Sequence, residues 1–231
     1  MLPDNKFSKY LLYAIGEILL VVIGILIALQ VSNWNENMQE EKAIHKVLIE
    51  IKEDLIHDKA ELKLSLEVHS KDLEAQNRVI KALENKTGFN EKMRSDLGHI
   101  YLSHYFFSVS KGYNLLKEIN LTSLKNKELR ISLTRYYEND IPRVHLEFAD
   151  DKMEFENYWL PYVRIHFKEW EFGEYAVPHD YDQIVNDREL LTATKRNSIN
   201  LRNTVNALEA ALDSAIKLIE LLPDDSIMEM K

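Results

Sequence analysis

Tyr10–Val31, YLLYAIGEILLVVIGILIALQV, decides how this chain is built. Its only charged side chain is Glu17. At about 1.5 Å per residue it makes a helix of roughly 33 Å, enough to cross a bilayer's hydrocarbon core. A transmembrane helix over 10–31 is therefore expected, with membrane lipid as its first partner. The apolar run exceeds the roughly 7–15 residues of a signal-peptide core. Ala28-Leu29-Gln30 lacks the second small residue of a cleavage site, so the reading is an uncleaved anchor. Lys6 and Lys9 precede it, whereas Glu36, Glu40 and Glu41 outweigh Lys42 after it. By the positive-inside rule, residues 1–9 form a cytoplasmic tail and the bulk of the chain is exported. Trp34 falls where an interfacial aromatic anchor is expected, with Tyr10 and Tyr13 near the opposite face.

Glu17 is the chemical oddity of this helix. An acid costs on the order of 2.5–3.5 kcal/mol at the centre of a span and less towards its end. On a helical wheel Glu17 shares a face with Val21, Gly24, Ala28 and Val31. Gly24 and Ala28 form a small-x-x-x-small pair that lets another helix approach closely. One reading is self-association, with a protonated Glu17 hydrogen-bonding across the contact. A second makes Glu17 part of an ion or proton path in a larger membrane assembly, by analogy with single-pass subunits that carry one intramembrane acid beside a separate channel partner. A third is an acid tolerated near the helix end, reaching towards headgroups or Lys9.

The segment Gly16–Glu36, GEILLVVIGILIALQVSNWNE, resembles the amino-terminal signature of an uncharacterised family of single-pass envelope proteins from Bacteroidota. The preceding NKFSKYLLYAI fits the same pattern, and Tyr113–Glu138, YNLLKEINLTSLKNKELRISLTRYYE, resembles a further stretch of that family. The resemblance implies a cell inner-membrane anchor with a periplasmic helical domain. It implies no activity.

The rest of the chain reads as helical. Of 231 residues, 45% are hydrophobic and 29% charged, a globular balance. Six glycines and five prolines are too few for a turn-rich β fold. The net charge of −9 argues against nucleic acid as a partner, and the lack of cysteine excludes disulfides, thiolate metal sites and a cysteine nucleophile. The expected fold class is all-α: the membrane helix continues into a long stalk helix, followed by an antiparallel bundle over 32–222 and an acidic tail over 223–231. No proline or glycine interrupts Asn37–Glu84, and Ile44, Leu48, Ile51, Leu55 and Leu62 step as a coiled-coil seam. Ser65 is due next, so the frame is expected to slip there, as in a stutter, onto Leu66, Leu73, Ile80 and Leu83. Asp58, His69 and Gln76 fall on stripe positions.

A turn is expected at Lys86–Asn90, then helices over Glu91–Phe106, Tyr113–Glu118 and about Leu124–Tyr137. Pro142 should interrupt or kink the next helix, which runs from Arg143 to about Trp170 with Pro161 as a second kink or stop. The last helix should start at an Asp187 cap, stop before Pro223 and bury Leu201, Val205, Leu208, Leu212, Ala215, Ile219 and Leu222.

Phe148–Tyr181 is rich in aromatics. Tyr158, Trp159, Tyr162 and Trp170 are candidates for a ligand or partner surface, the competing reading being bundle core. No catalytic set emerges. The eight histidines are scattered, His99 and His104 miss the i, i+4 zinc spacing, and no phosphate-binding or nucleophile motif is present. The sequence reading is a homo-oligomeric, membrane-anchored interaction or scaffold protein, not an enzyme, with no cofactor and no metal, possible contact with another inner-membrane protein, and a conducting subunit or ligand sensor as alternatives.

Overall fold

A computed structural model describes residues 6–100 and 105–224. It is predominantly α-helical and divides into two units, residues 1–47 and 48–231. The expected tails fall partly outside the described residues, at 1–5 and 225–231.

The first unit is the opening half of α1 (Lys6–Glu84). Every side chain from Tyr13 to Gln39 is exposed. Within it an 18-residue window has a mean hydropathy of 2.6 and no buried residue, so by length and composition this helix can cross a membrane. Such a surface needs an apolar surrounding, because each exposed leucine or isoleucine costs about 2 kcal/mol in water relative to burial.

The second unit is built on three helical columns. The first is α1 from Leu48 onward. The second joins α4 (Lys127–Arg135), α5 (Ile141–Glu154) and α6 (Leu160–His166). The third is α8 (Arg188–Leu221). His69 stacks on Phe148 and Asp58 meets Tyr136, so the first two columns run parallel. Asn197 bonds to Gln76, Thr204 to Asp151 and Ser214 to Asp140, so α8 runs antiparallel to both. Shorter pieces flank these columns: α2 (Glu91–Gly98), α3 (Lys111–Ile119) and α7 (Tyr181–Asn186).

The expected slip in α1 does not occur. Leu48, Ile51, Leu55, Asp58, Leu62, Ser65, His69, Asp72, Gln76, Val79 and Leu83 hold one 3-4 frame, and all are buried. Leu66, Leu73 and Ile80 are only half-buried beside it. Helical geometry keeps the register, and the polar side chains go inside because hydrogen-bond partners await them there.

Neither proline breaks the second column. Its α-helical segments are joined by π-helical turns at Tyr136–Asp140 and Phe155–Trp159. A proline cannot donate to the carbonyl four residues back and clashes with it. The residues just before Pro142 and Pro161 bond one step further: Ile141 N–H to Tyr136, and Leu160 N–H to Phe155. The widened turn absorbs the clash and the helix continues.

Two expected helices end early. α2 stops at Gly98, not Phe106, and α6 at His166, not Trp170. The cause is a hairpin, β1 (Phe167–Glu171) antiparallel to β2 (Tyr175–Pro178), turning through Gly173 at φ 84°. β2 lies so close to α2 that a Cβ on Gly98 would fall 2.3 Å from the Tyr175 nitrogen. Gly173 N–H donates to the Gly98 carbonyl at 2.8 Å, fixing the contact.

α8 begins as expected. The Asp187 carboxylate accepts from the amides of Glu189 and Leu190, at 2.8 and 3.0 Å. Its buried frame passes through Ala211 and Leu218, leaving the expected Leu212 and Ile219 half-buried at the edge. Just past its far end Lys52 Nζ donates to the carbonyls of Leu222 and Pro223 and pairs with Asp224, tying the chain after α8 to α1.

Candidate functional site

Two places carry chemistry beyond packing, one in each unit. In the first, Glu17, Gly24 and Ala28 lie on an exposed stretch of helix, with Trp34 also exposed further along. Nothing lies within 4 Å of where a Cβ on Gly24 would sit. A neighbouring backbone therefore has room to approach there.

In the second unit, polar side chains of α1 hold a segment without regular secondary structure. The described parts of the α2–α3 connector are His99, Ile100 and residues 105–110. An irregular chain beside a helix has no ladder to satisfy its amides and carbonyls, and burying them unpaired is costly. Side chains of α1 take that role. The Asp54 carboxylate accepts from Gly112 N–H at 3.1 Å, and Asp58 accepts from Val109 N–H at 2.9 Å. Gln76 donates to the Ile100 carbonyl at 2.5 Å, and Asp72 pairs with His99 Nδ1 at 2.9 Å. His99 and Ile100 thus meet α1 at Asp72 and Gln76, whereas Val109 and Gly112 meet it further back, at Asp58 and Asp54. Gly112 is required at the end of this run, because a Cβ there would press on Ile51 at 2.8 Å.

Asp58 also anchors a tyrosine cluster at the first π turn. Its second oxygen accepts from the Tyr136 hydroxyl at 2.8 Å, and the residue is 0% exposed. Burial pushes the Asp58 carboxyl above its usual range, against the two hydrogen bonds that favour the anion. Burial, and then the neighbouring Asp58, push the Tyr136 hydroxyl up as well. Tyr137 stacks on Tyr113 with centroids 4.5 Å apart, and Tyr113 donates to Glu138 at 2.9 Å. Burial, with Glu138 second, pushes the Tyr113 hydroxyl up to about 12. These hydroxyls stay protonated and act as donors at any physiological pH.

Two more acids are held protonated unusually far up. Burial raises Asp72 to about 6, although His99 and Lys71 oppose it. Burial likewise raises Asp151 to about 6 against its bond from Thr204, at 2.7 Å. Each leaves one buried oxygen without a hydrogen bond. Among the described residues no group of three or more His, Asp or Glu is placed to hold a metal.

The aromatic candidates are not brought together on a surface. Trp159 is 1% exposed and belongs to the core, and Tyr162 is buried with its hydroxyl bonded to Asp187 at 2.8 Å. Tyr158 is half-buried and stacked on Tyr162, while Trp170 is 38% exposed. The space between Trp159, Phe167, Trp170 and Tyr175 is about 10 Å³, room for a single water. Packing of the hairpin on α2 fills the rest.

What the sequence reading missed was the connector's anchorage, above all Asp54, Asp72, Tyr113 and Tyr136. The signal was available in the seven-residue frame. Continued past Leu62, it runs through Ser65, His69, Asp72 and Gln76, polar residues that a buried position admits only with partners.

The chain is thus a predominantly α-helical protein with an apolar amino-terminal helix and a polar-seamed helical unit. It belongs to the family of unknown function DUF6090, whose model matches residues 17–154. The matched span takes in Glu17, Gly24 and Ala28 and the whole polar seam of α1, and stops short of Trp159, Tyr162, Trp170 and α8. No curated protein and no solved structure matches the chain.

Proposed function

We propose that this is a membrane-anchored helical interaction protein, held in a bilayer by residues 10–31 and self-associating through the face of Glu17, Gly24 and Ala28. The observation that carries the reading is the uninterrupted exposed apolar surface of α1, bearing one acid and an open approach at Gly24. In hydrocarbon a carboxyl is least costly when protonated and bonded to a partner, and close helix approach at small residues supplies one. The flanking charges favour an orientation with the amino terminus inside, and the resemblance of residues 16–36 implies an inner membrane with residues 32–222 in the periplasm, where they act by contact and not by catalysis.

The test is the mass of the detergent-solubilised full chain by light scattering. Gly24→Ile should shift an oligomer to the monomer mass, and an unchanged mass removes the association. Fusing a reporter to either end fixes the orientation. Glu17 itself favours a second reading, a proton path. In that case liposomes containing the wild-type chain would pass protons and Glu17→Gln would stop them, and no wild-type flux ends that reading.

A further inference from the structure

We propose that the outer face of α5 and α6 is a second contact between copies of this chain, separate from the membrane segment. Pro142, Leu146, Ala149, Met153, Pro161 and Ile165 are all exposed there, with Asn157 the one polar side chain in line. Leu146 is 63%, Met153 56% and Ile165 70% exposed. On the other side of the same column, Val144, Phe148, Trp159 and Val163 are buried in the core. The column thus has two apolar faces, and among the described residues one of them is uncovered.

The alignment of the stripe depends on the π turn at Phe155–Trp159. From Ala149 it advances in steps of four, to Met153, Asn157, Pro161 and Ile165. In an α-helix of 3.6 residues per turn, four such steps drift by about 160° around the axis. The wider turn, closed by bonds one residue longer, takes up much of that drift and holds the side chains on one face.

Charge and area both point to a second copy as the occupant. The chain carries a net charge of −9, yet the exposed charges among residues 142–165 are Arg143, Lys152 and Arg164 against Asp150 and Glu156. Two such faces meet without the repulsion that two strongly acidic surfaces would suffer. At about 1.5 Å per residue the stripe is roughly 36 Å long, and a helix about 10–12 Å across gives it on the order of 400 Å². That is about half of the roughly 800 Å² that each side of a freely diffusing complex buries. It suffices for copies already held together, because a tether raises their effective concentration to about the millimolar range. The inference therefore rests on the association through residues 10–31 proposed above. A two-fold contact sets Met153, at the middle of the stripe, against its own copy.

The chain has no cysteine, so Met153→Cys supplies a single thiol. The full chain in detergent micelles, oxidised with diamide, should then run as a disulfide-linked dimer. Arg202→Cys, exposed on α8, should not. Adding Leu146→Glu, at an exposed site that leaves the core intact, should lower the Met153→Cys cross-link about tenfold, because each copy brings a like charge to the contact. Equal linking at Arg202→Cys, or no effect of Leu146→Glu, marks random collision and overturns the contact. Light scattering of the wild type separates this inference from the one it rests on. An oligomeric mass with Met153→Cys left unlinked gives the face to another occupant and overturns the contact, while the membrane association stands. A monomeric mass ends both.

Discussion

Glu17 and Asp58 are each an acid with apolar neighbours along its own face of the same helix, and their surroundings are opposite. Glu17 stands on a surface of exposed aliphatic side chains, with open space beside Gly24 one face-repeat away. Asp58 is fully enclosed, and both its oxygens accept hydrogen bonds, from Val109 N–H and the Tyr136 hydroxyl. The contrast teaches what a polar residue on an apolar stripe means. Where the described residues offer no partner, the acid is free for one of the kind proposed above. Where the neighbouring segment lacks regular structure, the acid completes that segment's backbone.

The strongest way to break this comparison is to remove Asp58. Asp58→Ala leaves a buried amide and a buried hydroxyl without acceptors, at about 1–3 kcal/mol each. A loss of about 3 kcal/mol is expected in urea unfolding, similar to the 2–5 kcal/mol typical of a buried leucine truncation such as Leu62→Ala. If Asp58→Ala costs less than 1 kcal/mol, the polar seam is passive filling and the contrast with Glu17 fails.

Next in size is Gly112→Ala, which tests whether the connector must lie so close to α1. The added methyl meets Ile51 at 2.8 Å from its Cγ1 and 3.0 Å from its backbone nitrogen. Backbone contact cannot be relieved by a rotamer, so a cost of about 2 kcal/mol follows. Unfolding midpoints of Gly112→Ala and Gly88→Ala make the control, since nothing stands within 4 Å of a Cβ at Gly88.

The third test is pH. Asp72 and Asp151 are both raised to about 6 from an ordinary 3.8. Their contribution is fully present below about 3.8 and is lost as pH rises through about 6, so these two acids favour the folded chain in mild acid. From pH 5 to pH 7.5 they should withdraw roughly 2 kcal/mol together. The double variant Asp72→Asn, Asp151→Asn should unfold with a midpoint less dependent on pH across that window. A steeper dependence in the variant would show that the buried carboxylates are better compensated than their orphan oxygens indicate.

How much of this was legible depended on which level of structure set the answer. The opening helix could be read because hydropathy and length alone decide it, and the Asp187 cap and the Pro223 stop because capping is local. The turn at Lys86–Asn90 was equally local, with Lys86 at φ 50°. The hairpin at Phe167–Pro178 was hidden. Its strands are short, and the close fit of Gly98 under Tyr175 that ends α2 is a contact between distant residues. The prolines were weighed correctly as obstacles to an α-helix, but a π turn offers a third outcome beside a kink or a stop. The seam past Leu62 was misjudged for one reason: a stripe position was expected to be apolar. Asp72 and Gln76 are buried because the segment beside them is not a helix, and Ser65 and His69 because they bond within α1 beneath Phe148, partners that the frame alone does not announce.

The smallest effect, that of Glu17→Leu, gives the sharpest form of the comparison when the same substitution is made at both acids. Asp58→Leu swaps a satisfied acceptor for a bulkier apolar group, strands Val109 N–H and Tyr136, and should destabilise residues 48–224 by about 2–4 kcal/mol. Glu17→Leu removes an acid from a segment proposed to lie in hydrocarbon, and should favour insertion by about 1–2 kcal/mol, Glu17 lying short of the centre of residues 10–31. It should leave the urea midpoint unchanged. A membrane-partition assay of the isolated apolar segment reads the first quantity, and urea unfolding of the full chain reads the second. Opposite signs for the same exchange mean that each acid answers to its own surroundings. If Glu17→Leu instead weakens both insertion and oligomer mass, the Glu17 carboxyl is already partnered in the membrane, and self-association becomes the condition for placing it there.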